Sequence, residues 1–265
     1  MEACLLRFLR RKDQQVHQPA YQPRVASTDR IYAVGDIHGQ AHCLDILLDR
    51  IDADWRHHED GRRAQLVLLG DYVDRGADSR TVLDRVAALV DGGAIALRGN
   101  HEAAMLGFVN DPVKGANWLQ FGGIQTLASY GLAAPRRPGP EELTALAADL
   151  AEAMGPHVAL LRDKLVNYHT SGDVVFVHAD LEPGVDLELQ DEAVMLWGDP
   201  EHPGATWRAD KLVVHGHYAD VKPIESEGRL CIDTGAFYTN NLTCVRLDGE
   251  VALFGSLGPA PGAAM

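Results

Sequence analysis

"QLVLLGDYVDRG", residues 65–76, is apolar from Leu66 to Leu69 and then breaks into Gly70, Asp71, Asp74 and Arg75. A short apolar run closed by glycine reads as a buried strand, with the polar residues leaving the core at its carboxyl end. Four other apolar runs close in the same way. "YAVGD" ends in Gly35-Asp36 and continues to His38, and "IALRGN" ends in Gly99-Asn100 and continues to His101. "VVFVHAD" carries His178, and "LVVHGH" carries His217. Between the runs lie helical patterns: Leu44, Leu47, Leu48 and Ile51 share one face of a first helix, and Val82, Leu83, Val86 and Leu89 mark a second. Strand–helix alternation of this kind predicts an α/β fold whose sheet is covered by helices. In such sheets ligands gather outside the carboxyl ends of the strands, where these polar residues emerge.

The flanking segments differ. Residues 103–165 are rich in Ala and Leu and interrupted by "FGG" and "APRRPGP", which predicts a helical insertion. "RLCIDTG" and "LTCVRLDGEVALFG" return to strands, the latter with a turn at Asp248-Gly249. Residues 1–29 read as a flexible N-terminal extension, 30–257 as the domain and 258–265 as a flexible tail. "MEACLLRFLRRK" has an apolar face, but its apolar core is too short for a signal peptide and lacks a small-residue cleavage site.

The chain has 265 residues, 46% of them hydrophobic, which suits one globular domain. Its 24 Lys and Arg against 38 Asp and Glu give a net charge of -14. Such a surface repels polyanions, so neither a nucleic-acid partner nor a stable membrane association is expected. An anionic substrate then needs a local positive site, which a metal supplies. Cys4, Cys43, Cys231 and Cys244 form no CxxC pair and read as reduced thiols, which favours the cytoplasm. The sequence leaves the oligomeric state open.

Each polar residue taken alone has a plain reading: an Asp after a strand caps the next helix, and a His at a strand edge is satisfied locally. As a group they need another. The carboxylates of Asp36 and Asp71, the Asn100 amide and the imidazoles of His38, His178 and His217 on one rim are costly to bury unless cations compensate. Oxygen and nitrogen donors without thiolate suit Mn2+, Fe or Zn2+. A shared carboxylate can hold two metals about 3.5–4 Å apart, the spacing used for in-line displacement at phosphorus.

"GDIHG", "GDYVDRG" and "GNHE", followed by "HAD" and "GH", resemble the calcineurin-like metallophosphoesterases. Within these, the chain is most similar to the phosphoprotein phosphatase family in its compact bacterial and bacteriophage-lambda form, from about residue 30 to 255 and including "IDTGAFYTNNLT". The resemblance implies a sandwich of central β-sheets flanked by helices, and two divalent metal ions, with Mn2+ the first expectation and Fe or Zn2+ the alternatives. It implies that Asp36 and His38 bind the first metal, that Asp71 bridges, and that Asn100, His178 and His217 complete the second site. His101 matches the general acid, Asp74 the carboxylate that orients it, and Arg75 a phosphate-binding arginine; Asn100 and His101 also face the substrate. A hydroxide between the cations would attack phosphorus directly, and His101 would protonate the leaving group.

The activity so implied is that of a serine/threonine, or else tyrosine, protein phosphatase acting on a phosphorylated protein or a small phosphomonoester. The alternative is a diadenosine tetraphosphatase-like nucleotide hydrolase. "DRG" and "GNHE" favour the former, because symmetrical tetraphosphatases tend to show Ala before "RG" and "GNHD". A non-catalytic binding module predicts a lost ligand, and all six ligand positions are filled.

The pattern departs from the lambda type in "MLWGDPEHPGATWRAD", where Gly198 and Asp199 stand in place of an arginine. Aspartate cannot replace a guanidinium that grips phosphate, so either Arg208 reaches in or the clamp is lost. "HGHYAD" likewise replaces "GHTP". His215 is left out of the ligand set, because in the phosphoprotein phosphatase branch only the His after the glycine binds metal. Arg98 reads either as a phosphate contact or as a salt bridge, Glu102 as favourable at a helix N-terminus, and Tyr238 either as core or as a residue approaching the site.

Overall fold

The computed structural model describes residues 24–258. Among these residues ten strands form two five-stranded sheets. In the first, β1 (Asp29–Val34), β2 (Arg63–Leu68) and β3 (Ile95–Ala96) run parallel. The second contains β4 (Tyr168–Ser171), β5 (Val174–Val177), β6 (Leu212–His215), β7 (Ile224–Ser226) and β8 (Arg229–Cys231), with β5, β6 and β8 parallel. The hairpin β9 (Thr243–Leu247) and β10 (Val251–Gly255) turns at Asp248-Gly249 as expected and pairs antiparallel with β1, giving the orders β10-β9-β1-β2-β3 and β4-β5-β6-β8-β7.

The apolar runs are continuous because both faces of these strands are covered. Side chains alternate across a strand, so Ile31, Ala33, Val67 and Leu69 enter a core shared with Val174, Phe176 and Val214 of the facing sheet. Tyr32, Val34 and Leu68 point the other way, into a core roofed by α1 (Ala41–His57) and α2 (Ser79–Asp91). There Leu44, Leu47, Val82, Leu83 and Val86 are fully buried, each contributing roughly 1.5–3 kcal/mol of transfer free energy. Val175 and Val177 face a third, smaller cluster with Met195 and Trp207 on the outer side of the second sheet. The layers are thus helices, sheet, sheet and a short helical cover.

Between β3 and β4 the chain is helical: α3 (Asn100–Asn110), a 3-10 segment (Lys114–Phe121), α4 (Gly123–Ser129), α5 (Pro140–Met154) and short turns to Lys164. Leu143, Leu146 and Leu150 of α5 join the core under α1 and α2.

Two strands escape sequence reading. "YHTS" (β4) and "IES" (β7) carry no apolar run because they are the outermost strands of the second sheet, and β7 is exposed throughout. Residues 24–28, at the end of the expected extension, are tied to the β4–β5 turn: Asp173 N–H donates to the Arg24 carbonyl at 2.8 Å, and Val25 is buried. The rest of that extension, including Cys4, and the tail from 259 onward lie outside the described residues. Among the described residues no helix is long and apolar enough to cross a membrane, and Cys43, Cys231 and Cys244 are free thiols in the core.

Candidate active site

The loops after β1, β2, β3, β5 and β6 converge on Asp71. His38 Nε2 lies 3.4 Å from its Oδ2, and His178 Nε2 lies 3.4 Å from its Oδ1. Asn100 Oδ1 is 3.0 Å from His178 Nε2 and 3.0 Å from His217 Nδ1. The sites expected from five separate strand ends are therefore one cluster. Among the described residues, the donor atoms of His38, Asp71 and His101, and those of Asp71, His178 and His217, form two groups that could hold a metal.

The hydrogen bonds behind the ligands show what the cluster needs. His38 Nδ1 donates to the Val73 carbonyl (2.8 Å), and His178 Nδ1 donates to the Leu69 carbonyl (2.9 Å). Each imidazole is thereby held with its Nε2 turned inward. Burial drives His38 down to about 3, and burial together with His178 drives His217 to about 4, so both are neutral at physiological pH. At 3.0 Å each, His178 Nε2 and His217 Nδ1 converge on the same Asn100 amide oxygen. Two donors about 2.1 Å from one cation and at right angles lie about 3.0 Å apart, which is the separation found.

Asp36 adds a second sign of missing charge. Its Oδ2 accepts the His217 N–H at 3.0 Å, while its buried Oδ1 has no hydrogen-bond partner among the described residues. Asp233 lies against it, also buried, with Oδ1 held by the Gly235 N–H (2.9 Å) and Oδ2 without a hydrogen-bond partner among the described residues. Burial, Asp233 and Asp71 hold Asp36 well above the ordinary carboxylate range. The backbone of Gly216 passes so close that a Cβ there would be 1.9 Å from Asp36 Oδ1, which explains the glycine of "HGH". Uncompensated carboxylates in such a place fit a divalent cation.

His101 is held differently. Its Nδ1 is 2.7 Å from Asp74 Oδ2, and that carboxylate also accepts from Trp118 Nε1 (2.8 Å) and Thr126 Oγ1 (2.6 Å). Burial lowers the His101 pKa, but Asp71 and Asp74 outweigh it and the net shift is upward, towards the imidazolium. Arg75 spans the mouth, its guanidinium nitrogens 2.9 Å from His38 Nε2 and 3.0 Å from His101 Nε2 and its guanidinium 5.0 Å above the Phe237 ring.

Glu102 does more than favour a helix terminus. Its carboxylate accepts the N–H groups of Asp71 (2.9 Å), Tyr72 (2.7 Å), Val73 (3.3 Å) and Gly99 (2.9 Å), binding the β2 loop to the start of α3. Burial and Asp71 push it up to about 7.

Outside the cluster the open alternatives close. Arg98 is an ion pair with Glu192 at 2.9 Å and bonds the Leu161 and Arg162 carbonyls, so it is structural. Arg208 pairs with Asp186 and stacks over Trp207, and among the described residues it makes no contact with the cluster. Asp199 caps its own turn, accepting the N–H groups of Glu201 and His202. Both His215 nitrogens are engaged, with the Gly216 carbonyl and Arg229. Tyr238 is exposed at the rim rather than in the core. Sequence reading missed Asp233, although "RLCIDTG" is one more apolar run closing on an aspartate. It also missed Trp118 and Thr126, whose helical surroundings carry no local signal.

A two-sheet α/β sandwich whose strand ends pool His, Asp and Asn around one carboxylate defines a metallophosphoesterase. The family model for calcineurin-like phosphoesterases matches residues 29–255, and the chain belongs to that family. It is therefore a hydrolase of a family that uses divalent metals. Over 233 residues, 80% of this chain and 88% of the relative, it is 28% identical to the asymmetrical bis(5'-nucleosyl)-tetraphosphatase PrpE of Anoxybacillus flavithermus (strain DSM 21510 / WK1). The PrpE of Geobacillus thermodenitrificans (strain NG80-2) is 27% identical over 232 residues, with the same coverages of 80% and 88%. A crystal structure provisionally named a diadenosine tetraphosphatase shares the fold at a TM-score of 0.56 and 22% identity, covering 90% of this chain and 98% of that one.

Proposed function

We propose that this chain is a metal-dependent hydrolase of dinucleoside polyphosphates that cleaves them asymmetrically. The observation that carries the reading is the similarity to two asymmetrical tetraphosphatases over 80% of the chain. It replaces the protein phosphatase expected from "DRG" and "GNHE". The wall agrees: Asp199 stands where the lambda-type phosphatases carry an arginine, and Arg208 is paired with Asp186, so Arg208 does not replace that guanidinium.

Asp36, His38 and Asp71 would hold one divalent cation, and Asp71, Asn100, His178 and His217 the other, with Mn2+ the expected metal. When bound, the pair supplies Lewis-acid charge at the phosphoryl group and acidifies water. The Nδ1–H bonds of His38 and His178 keep their Nε2 atoms aimed inward. Arg75 presents a planar fork to the phosphoryl oxygens. His101, protonated and held by Asp74, delivers a proton from Nε2 to the leaving oxygen.

The test is a substrate panel of diadenosine tetraphosphate, phosphopeptides and p-nitrophenyl phosphate, with chelated protein and after Mn2+ addition. Chromatography should show ATP plus AMP from the dinucleotide. Faster turnover of phosphopeptides, or two ADP as the product, would overturn this reading.

A further inference from the structure

We propose that Tyr238 is the stacking surface for a base of the nucleotide substrate, an inference that rests on the functional reading above. Tyr238 sits in the short helical turn Ala236–Thr239 and is 49% exposed, with no hydrogen bond from its hydroxyl among the described residues. An exposed aromatic ring is usually mobile, but this one has a built seat. Gly235 is in the left-handed region at φ 60, and a Cβ there would lie 2.1 Å from Cε1 and Cζ of the Tyr238 ring. The ring thus rests on bare backbone on one side. Its edge meets Phe237, with centroids 4.9 Å apart and planes at 84°. The turn itself is pinned by the Asp233 carboxylate on the Gly235 N–H (2.9 Å) and by Thr239 Oγ1 on the Thr234 carbonyl (2.8 Å).

The seat also places the ring beside the reacting centre. Phe237, which touches Tyr238, packs against His38 (5.6 Å) and lies beneath the Arg75 guanidinium (5.0 Å). A ligand whose phosphate meets Arg75 therefore extends its nearest nucleoside towards Tyr238. Charge supplies little further grip on this acidic chain, because Arg98 and Arg208 are already paired. A flat heterocycle on a ring that is ordered before binding supplies affinity without a side-chain ordering cost.

Calorimetry on the Mn2+-loaded protein with AMP and ribose 5-phosphate tests the stack independently of turnover. AMP should bind the wild type about tenfold more tightly than ribose 5-phosphate, the share of one base–aromatic stack. Tyr238→Ala should remove that difference, and Tyr238→Phe should keep it. The KM for diadenosine tetraphosphate should rise about tenfold in Tyr238→Ala alone. Equal affinities of the wild type for the two probes, or an unchanged AMP affinity in Tyr238→Ala, would overturn the stack even if the tetraphosphate is cleaved. Failure of the wild type to cleave the tetraphosphate overturns the functional reading instead, and the two binding constants still decide the stack.

Discussion

Glu102→Ala removes one side chain and strips four backbone N–H groups of their acceptor: Asp71, Tyr72, Val73 and Gly99. Glu102 is fully buried, so water does not replace it at once. Each unpaired buried donor costs about 1–3 kcal/mol, and four at the upper value would exceed the stability of many domains. Local relaxation and water entering the vacated space reduce this to about 3–5 kcal/mol, the range seen when a buried charged partner is deleted. At about 2–4 °C per kcal/mol for a chain of this size, Tm should fall by roughly 10 °C. Glu102→Gln grades the effect. Oε1 serves Tyr72 and Val73, while Oε2 serves Asp71 and Gly99, so an amide keeps one pair and turns its own N–H groups on the other. Its Tm should fall by about half as much. Calorimetric melting of the chelated variants keeps metal binding out of the comparison. A drop of under about 3 °C for Glu102→Ala would refute the view that this carboxylate holds the two loops together.

Asn100→Ala should lower the bound metal towards one equivalent by elemental analysis, whereas His101→Ala should retain both and lose turnover by about 10²-fold or more. Metal loss in His101→Ala would reverse the two roles. Asp233→Asn should raise the Tm of the chelated protein by about 2–4 °C by relieving its repulsion with Asp36, while shrinking the rise that Mn2+ produces; a thermal shift series with and without the metal reads both. Arg208→Ala should leave turnover unchanged and Tm within about 2 °C, since its pair with Asp186 is exposed; a large activity loss would return Arg208 to the site.

The central layers were legible because strands buried on both faces leave long apolar runs, and the residue that ends such a run is chemically conspicuous. Asp71, His178 and His217 announce themselves in that way. Legibility fails wherever burial is one-sided or the partner is remote. β4 and β7 lie at sheet edges and need no apolar run. Asp74 is followed by Arg75 in sequence, yet the groups that hold its carboxylate, Trp118 and Thr126, come from the helical segment 44 and 52 positions further on. Glu102 reads as a helix-start residue because its local role is real; only the folded loops show that it also serves the β2 loop. Asp233 differs, since the rule that found Asp71 applies equally to "RLCIDTG".

The backbone carries a signal that composition cannot. Six non-glycine residues among those described have positive φ, and five of them are His38 (45), Asp71 (51), Asp74 (72), Arg75 (67) and His217 (66). At about 1–2 kcal/mol each, these conformations cost roughly 5–10 kcal/mol, comparable to the net stability of a whole domain. They persist only where surrounding bonds leave the chain no alternative. Here the Asp71 carbonyl accepts from Ile37 (3.1 Å) and His38 (2.8 Å), the Tyr72 carbonyl accepts from Gly39 (2.9 Å), and Glu102 closes the same loop from below. The centre is thus over-determined, and little in it is free to vary with substrate. Discrimination between substrates must then come from the rim of the centre, where Tyr238 presents an open ring. If exchanging Tyr238 failed to change substrate preference while changes at the centre succeeded, this division between a rigid centre and a selective rim would be wrong.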